Sequence, residues 1–326
     1  SSEPIYLSDK LIDTNEETLL VLQHGLLQKF ASVHERYSFY HIQSLQYNEV
    51  YSYCKKLFAK ADDLLPLSVA IARHLYESSI HPKIKGGEIY VCYFEDLPVD
   101  GRMYKAIGIF KTENKTAYIN LEKKGRGFNL SVKDGVEMSK IDKGCLVINK
   151  NEAAGYDVMI YDNQNRGDEA LYWKELFLGL QQQQNEFHNT NHLLTLTKQF
   201  ITTTTGEGMP ISKKEQAEML NKSISYFKSN DDFDINEFSE SVFANEEVID
   251  SFRRFGSGYV AENNFEIAAG FPISAEAVKK QARIFKSVLK LDKNFHIYIH
   301  GRTDLIEKGV DENGRKFYKI FYQAEA

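Results

Sequence analysis

Five short apolar stretches follow one another between residues 88 and 161, and their spacing constrains the fold more than any other feature of the chain. They are 88–94 (EIYVCYF), 104–110 (YKAIGIF), 117–121 (AYINL), 144–149 (GCLVIN) and 157–161 (DVMIY). Each is rich in β-branched and aromatic residues and is bounded by Gly, Asp or Asn, the signature of a strand. A parallel pair of strands needs a connection of about a dozen residues or more, usually helical. Most of the gaps here are shorter, so the stretches predict an antiparallel or mixed sheet.

Helical periodicity lies on either side of this block. Residues 15–30 place Leu19, Leu22, Leu26 and Phe30 at helical spacing, and 48–59 and 67–77 behave similarly, the latter with Pro66 just before it. Residues 168–178 (DEALYWKELFL) predict a helix with acids in its first turn. The polar stretch 179–185, with four consecutive Gln, is the expected domain boundary. Helices are expected again over 187–201, 212–227 and 246–255, with a loop at 202–210 (TTTTGEGMP). In the last 60 or so residues, Ser274 has the character of an N-cap for a helix reaching about residue 290. Strands are expected at 295–300 and 316–322, the second entered through the turn 311–314 (DENG). The fold class is therefore α+β: N-terminal helices plus a mixed or antiparallel sheet, a helical middle segment, and a small C-terminal α+β domain. The expected division is 1–182 and 183–326, which suits a chain of 326 residues.

No apolar run approaches the roughly 18–20 residues that cross a bilayer, and no signal peptide is visible in SSEPIYLSDK. The three cysteines, Cys54, Cys92 and Cys145, are odd in number and far apart, and two of them sit in apolar runs. Buried thiols in a reducing cytoplasm are the expectation.

The net charge of −6 counts against nucleic-acid binding when taken alone. It is unevenly distributed, however. Residues 205–255 carry six basic and eleven acidic side chains, whereas residues 256–326 carry eleven basic and nine acidic ones. On a helix over 274–290, Lys279, Arg283, Lys286 and Lys290 fall within a stripe about 60° wide. Val278, Ala282, Phe285 and Leu289 form a second stripe about a quarter-turn away, and Lys280 broadens the cationic side. Two readings of that stripe stand side by side. Such a row is most often the solvated face of a helix, but it can also contact successive phosphates and release their counterions. Arg253 and Arg254, followed by Phe255-Gly256-Ser257-Gly258, would add a second contact if the glycines form a turn open to a phosphate. At a helix end, those arginines would instead complement the dipole. Lys123-Lys124-Gly125-Arg126 reads as a basic surface turn. Residues 231–250 hold eight acids and no Lys or Arg, a solvated acidic surface or a docking site for a basic partner.

Catalytic motifs are missing. There is no G-x-x-x-x-G-K-[ST], G-x-G-x-x-G, C-x-x-C or H-E-x-x-H. His188 and His192 are spaced i, i+4, but no third ligand is evident, and surface histidines are the expectation. His296 and His300 would be roughly 13 Å apart along one strand, too far for one ion. No catalytic residue, metal ligand or cofactor is assigned. One enzymatic alternative is a magnesium-dependent nuclease built on Glu88, Glu95, Asp96 and Asp100 with Lys105 and Lys111. Another alternative is an interaction scaffold that does not touch DNA.

Six stretches together resemble the bacterial nucleoid-associated proteins of the NdpA type. They are 87–94 (GEIYVCYF), 104–111 (YKAIGIFK), 141–149 (IDKGCLVIN), 155–162 (GYDVMIYD), 170–178 (ALYWKELFL) and 278–301 (VKKQARIFKSVLKLDKNFHIYIHG). The likeness extends from about residue 10 to 322. It implies a cytoplasmic protein at the nucleoid that binds double-stranded DNA and is not an enzyme. Other chromosome-associated proteins are expected partners, and dimerisation would place two basic patches side by side. The resemblance names no DNA contacts. Lys279, Lys280, Arg283, Lys286, Lys290, Arg253 and Arg254 are assigned from charge geometry alone.

Overall fold

The protein, as a computed structural model, is described over residues 4–81, 84–163, 172–203, 211–243, 245–263, 267–282, 285, 287–291, 295–299 and 305–324. It divides into two compact units, Ser1–Gln183 and Gln184–Ala326.

In the first unit, Asn15 starts α1 (Glu16–Leu27) by accepting a hydrogen bond from the Thr18 amide, and two glutamates occupy the first turn. A short β1 (Tyr37–Phe39) leads to α2 (Glu49–Ala59), capped in the same way by Asn48, and then to α3 (Leu64–Ser78). The sheet block follows as β2 (Glu88–Val99), β3 (Arg102–Thr112), β4 (Thr116–Lys124), β5 (Gly127–Gly135), β6 (Lys143–Ile148) and β7 (Asp157–Asp162). A π-helical turn (Tyr172–Phe177) and β8 (Leu180–Gln182) complete the unit.

Six of these strands form one sheet in the order β2-β3-β6-β7-β1-β8, and every pair is antiparallel. The open choice between mixed and antiparallel therefore falls to antiparallel. The two-residue connection Asp100-Gly101 between β2 and β3 has positive φ at both positions, as a tight hairpin turn requires. The one long gap in the block holds no crossover helix. It holds β4 and β5, which pair only with each other.

Side-chain alternation sorts the sheet into two faces. Ile107, Ile109, Cys145, Val147 and Val158 pack with Cys54, Leu57, Ile71 and Leu75 of α2 and α3, and with Trp173 and Phe177 of the π turn. Ala106, Phe110, Leu146, Ile148 and Met159 pack on the opposite face with Leu26 of α1 and with Phe30. Both faces are covered, so all six residues of the central β6 are buried. This explains why its sequence is nearly unbroken apolar.

Two expectations change here. Of the helix expected over 168–178, the described part is the single π turn; residues 168–171 lie outside the described residues. The Gln-rich stretch contains an edge strand, with β8 pairing to β1 and the Gln183 side-chain amide donating to the Tyr37 carbonyl (2.9 Å) and Ser38 Oγ (2.8 Å). Glutamine side chains supply donors where the ladder ends.

The second unit runs through α4 (Glu186–Thr203), α5 (Lys213–Ser229), β9 (Asp232–Asp234), α6 (Ile235–Phe243) and α7 (Glu246–Asn263). It continues with β10 (Gly270–Pro272), α8 (Ala275–Ala282), β11 (Ser287–Leu291), β12 (Phe295–Ile299), β13 (Ile306–Val310) and β14 (Lys316–Ile320). Ser212 and Glu215 close a capping box at the start of α5. An aromatic core of Phe200, Phe227, Phe233, Phe238, Phe243 and Phe252 joins α4 to α7. Most of the loop expected at 202–210 lies outside the described residues. The described residues of the acidic segment 231–250 form β9, α6 and the start of α7, and Phe233 and Phe238 are buried between its acids.

Gly155 enters β7 at φ 92°, and a Cβ there would lie 2.3 Å from the Phe39 carbonyl oxygen. The Phe39 amide donates to the Gly155 carbonyl at 2.8 Å, so neither strand can withdraw. Gly155→Ala is expected to destabilise the fold by about 2–4 kcal/mol. Trp173→Ala, which empties a fully buried site, should cost about 3–5 kcal/mol. Urea denaturation followed by tryptophan fluorescence and circular dichroism reads the first, and circular dichroism alone reads the second.

Candidate nucleic-acid interface

The proposed cations begin on α8. Ser274 caps this helix by accepting from the Ala277 amide (3.3 Å), and its own amide donates to Thr190 Oγ1 of α4 (3.0 Å). Further along α8, the Gln281 side-chain amide donates to Asn191 Oδ1 at 2.6 Å. Ala277, Val278 and Gln281 are thereby buried, and Lys279 and Lys280 stand exposed on the other side. The Lys280 ammonium lies 5.4 Å from the Phe187 ring centroid, a cation–π contact that orients it. Lys279 forms no ion pair among the described residues.

The stripe does not continue as a helix. α8 ends at Ala282, and Ser287–Leu291 is a strand whose Lys290 is paired in register with His296 of β12. Lys290 therefore belongs to a hairpin, and the 100° projection that aligned it with Lys279 does not apply. Arg283 and Lys286 lie outside the described residues. The physical reason is visible in the sequence. SVLKL and FHIYI alternate around Asp-Lys-Asn, and cross-strand pairing outweighs the helical spacing that the same residues also satisfy.

Arg253 and Arg254 are exposed, but α7 runs on to Asn263, so they lie within a helix and not at its end. Gly256 and Gly258 are helical too, and their amides serve the helix, which removes the phosphate-binding turn expected there. Arg253 contacts Asp250 (3.4 Å) and donates to Asn236 Oδ1 (3.4 Å). Arg254 forms no ion pair among the described residues. The sequence reading missed three further exposed lysines on the β13–β14 hairpin, Lys308, Lys316 and Lys319. Lys308 and Lys316 share one face of it with their cross-strand partners Tyr318 and Val310, and Lys319, on the other face, lies 4.0 Å from Glu307. In the first unit, Lys123, Lys124 and Arg126 are all exposed at the end of the β4–β5 hairpin.

The carboxylates of the nuclease alternative do not converge. Glu88 and Glu95 are separated along β2 by seven residues, roughly 23 Å of extended chain. Glu88 pairs with Lys115 at 2.9 Å, Glu95 with Lys105 at 3.4 Å, and Asp100 with Arg36 at 3.6 Å. Among the described residues no three His, Cys, Asp or Glu side chains are placed to hold a metal ion. His188 is buried, with its ring 4.3 Å from that of His192, which corrects the expectation of surface histidines. Burial pushes the Cys92 thiol up to about 11 and raises Cys54 and Cys145 as well, so none of the three is an available thiolate at neutral pH.

Lys111 is committed elsewhere, in a buried network that the sequence did not announce. Lys111 and Lys143 stand opposite each other on β3 and β6. Lys111 Nζ donates to Glu113 Oε1 (2.7 Å), the Lys85 carbonyl (2.7 Å) and Tyr172 Oη (3.2 Å). Lys143 donates to both Asp162 oxygens at 2.8 Å. The Tyr172 ring lies 5.6 Å from one ammonium and 5.3 Å from the other. Burial pulls the Lys111 ammonium below the ordinary lysine range, with Glu113 opposing that shift. Asp142 accepts from the Glu113 amide (2.6 Å) and the Asn114 side chain (3.0 Å), pinning the chain where it leaves β3 for the β4–β5 hairpin.

Removing one member of a buried pair strands the other charge. Lys143→Met is expected to cost about 3–5 kcal/mol, and adding Asp162→Leu to it should restore most of the loss. Chemical denaturation of the two variants checks this; equal losses in both would show that the Asp162 carboxylate tolerates isolation.

No described helix is long and apolar enough to cross a membrane. The family model described as nucleoid-associated protein YejK matches residues 1–315. No curated protein matches the chain.

Proposed function

Because this chain belongs to the YejK family of nucleoid-associated proteins, we propose that it acts at the bacterial nucleoid by binding the backbone of duplex DNA with little sequence preference. The observation that carries this reading is the pair Lys279 and Lys280, held outward on a helix whose opposite side is fastened to α4. Their ammonium groups suit phosphate contact, which is set by charge and is indifferent to sequence. Base reading would need Asn, Gln or Arg side chains presented together to groove edges. Gln281, the one amide side chain on α8, is instead consumed by its bonds to Asn191 and Thr195.

Arg283, Lys286 and Lys290 follow closely along the chain and are assigned to the same contact, with Arg253 and Arg254 as a secondary one. The proposed role is non-catalytic: association with the chromosome and recruitment of other proteins that act on it. The acidic balance of the whole chain opposes wide coating of DNA and favours a localised contact.

Replacing Lys279, Lys280, Arg283, Lys286 and Lys290 together by Gln is expected to weaken duplex binding. The log–log salt dependence should become shallower by about 2–4, near 0.9 for each phosphate that is no longer neutralised. Gel-shift titration with unrelated duplex sequences at two salt concentrations gives both quantities. Unchanged affinity and slope would remove this surface from the DNA contact. A marked preference among the sequences would overturn the backbone-only reading.

A further inference from the structure

The β4–β5 hairpin is amphipathic, and its apolar side is exposed. Nine residue pairs extend from Thr116↔Gly135 to Lys124↔Gly127, closed by the turn Gly125-Arg126. Alternation puts Ile119, Leu121, Phe128, Leu130 and Val132 on one face. These five are 61–73% exposed. The other face is polar, with Glu122 bridging Asn120 and Lys133. A lone two-stranded hairpin is marginal in water, and clean polar–apolar alternation belongs to a sheet with one side packed.

We infer that this face is the interface for a second copy of the chain, two hairpins packing face to face and antiparallel. Three observations single out that occupant. The exposed apolar area is on the order of 600 Å² per copy, at the top of the range for the largest patch of a monomer and close to the roughly 800 Å² per partner of a stable interface. The face is self-complementary in charge: Lys123 borders its tip end and Asp134 its base end, on the same side as the apolar residues. An antiparallel two-fold brings each Lys123 end onto the partner's Asp134 end, twice over. The base of the arm is also fixed by the Asp142 hydrogen bonds, so it is presented in one direction. Duplex DNA is the poorer occupant, because five bare hydrocarbon side chains find few apolar groups in a groove.

Sedimentation of the full chain at micromolar concentration, without DNA, tests the assignment independently of the DNA reading. A dimer is expected. Leu121→Asp with Leu130→Asp should give monomers with an unchanged circular dichroism spectrum, since both positions are exposed. Lys123→Glu alone and Asp134→Lys alone should each weaken the dimer about a hundredfold. Mixing those two variants should restore dimers, because both contacts of the heterodimer then pair opposite charges. Within one hairpin the two positions are roughly 20 Å apart, so intramolecular repair does not explain recovery. A wild-type monomer, a dimer insensitive to Leu121→Asp/Leu130→Asp, or failure of the mixture to recover would each overturn the proposal.

Discussion

Two lysines buried side by side set the geometry of the first unit. Lys111 and Lys143 are direct neighbours across β3 and β6, and like charges so placed repel strongly in a low-dielectric interior. The arrangement holds because each ammonium has its own carboxylate, Glu113 or Asp162, and both lie against the Tyr172 ring. Satisfying them requires β7 to pair with β6, the π turn to dock beside the ladder, and the chain to leave β3 in one direction. Ion pairs of this kind contribute little net stability over apolar packing. Their consequence here is positional. They fix the corner from which the β4–β5 hairpin departs, while Trp173, Phe177 and the unbroken apolar β6 supply the burial.

Much of this architecture was legible because periodicity survives in the local sequence. The alternation of 104–110 and 157–161 and the Asn-initiated helices at 15 and 48 follow from side-chain direction and capping chemistry, both short-range. The β4–β5 hairpin shows the limit of that reading. AYINL alternates in the same way whether its apolar side is packed or bare, so the sequence predicts a strand and says nothing of the unoccupied face. The buried lysine network was equally hidden, since its members come from residues 85 to 172 and only pairing brings them together.

At the candidate interface two periods compete. Residues 283–291 place cations at helical spacing and apolar residues at alternate positions, and the partner strand 295–299 decides between them. Pairing is a non-local term, and a helical projection does not contain it. The stretch 253–258 departs from expectation for a related reason. Two glycines read as a turn, yet the helix continues through them. Gly256 sits where a Cβ would meet Ile267 Cδ1 at 3.1 Å, so the small residue serves close packing there. No packing reason accounts for Gly258, which faces open space.

On the proposed reading, an acidic protein holding DNA through a few lysines obtains its affinity from the number of simultaneous contacts, because each phosphate pairing is weak and screened by salt. Among the described residues one copy offers cations spread over short elements: Lys279 and Lys280 on α8, and Lys308, Lys316 and Lys319 on β13–β14. Such a set constrains spacing poorly and suits the repeating backbone better than any fixed base pattern. The proposed face-to-face hairpins alter this without adding a contact to DNA, since joining two copies makes the second engagement intramolecular and multiplies avidity when both sites reach the duplex. The acids of 231–250 then act in the opposite sense. They raise the electrostatic cost of any pose that turns α6 toward DNA, and so limit which sides of the protein can approach it.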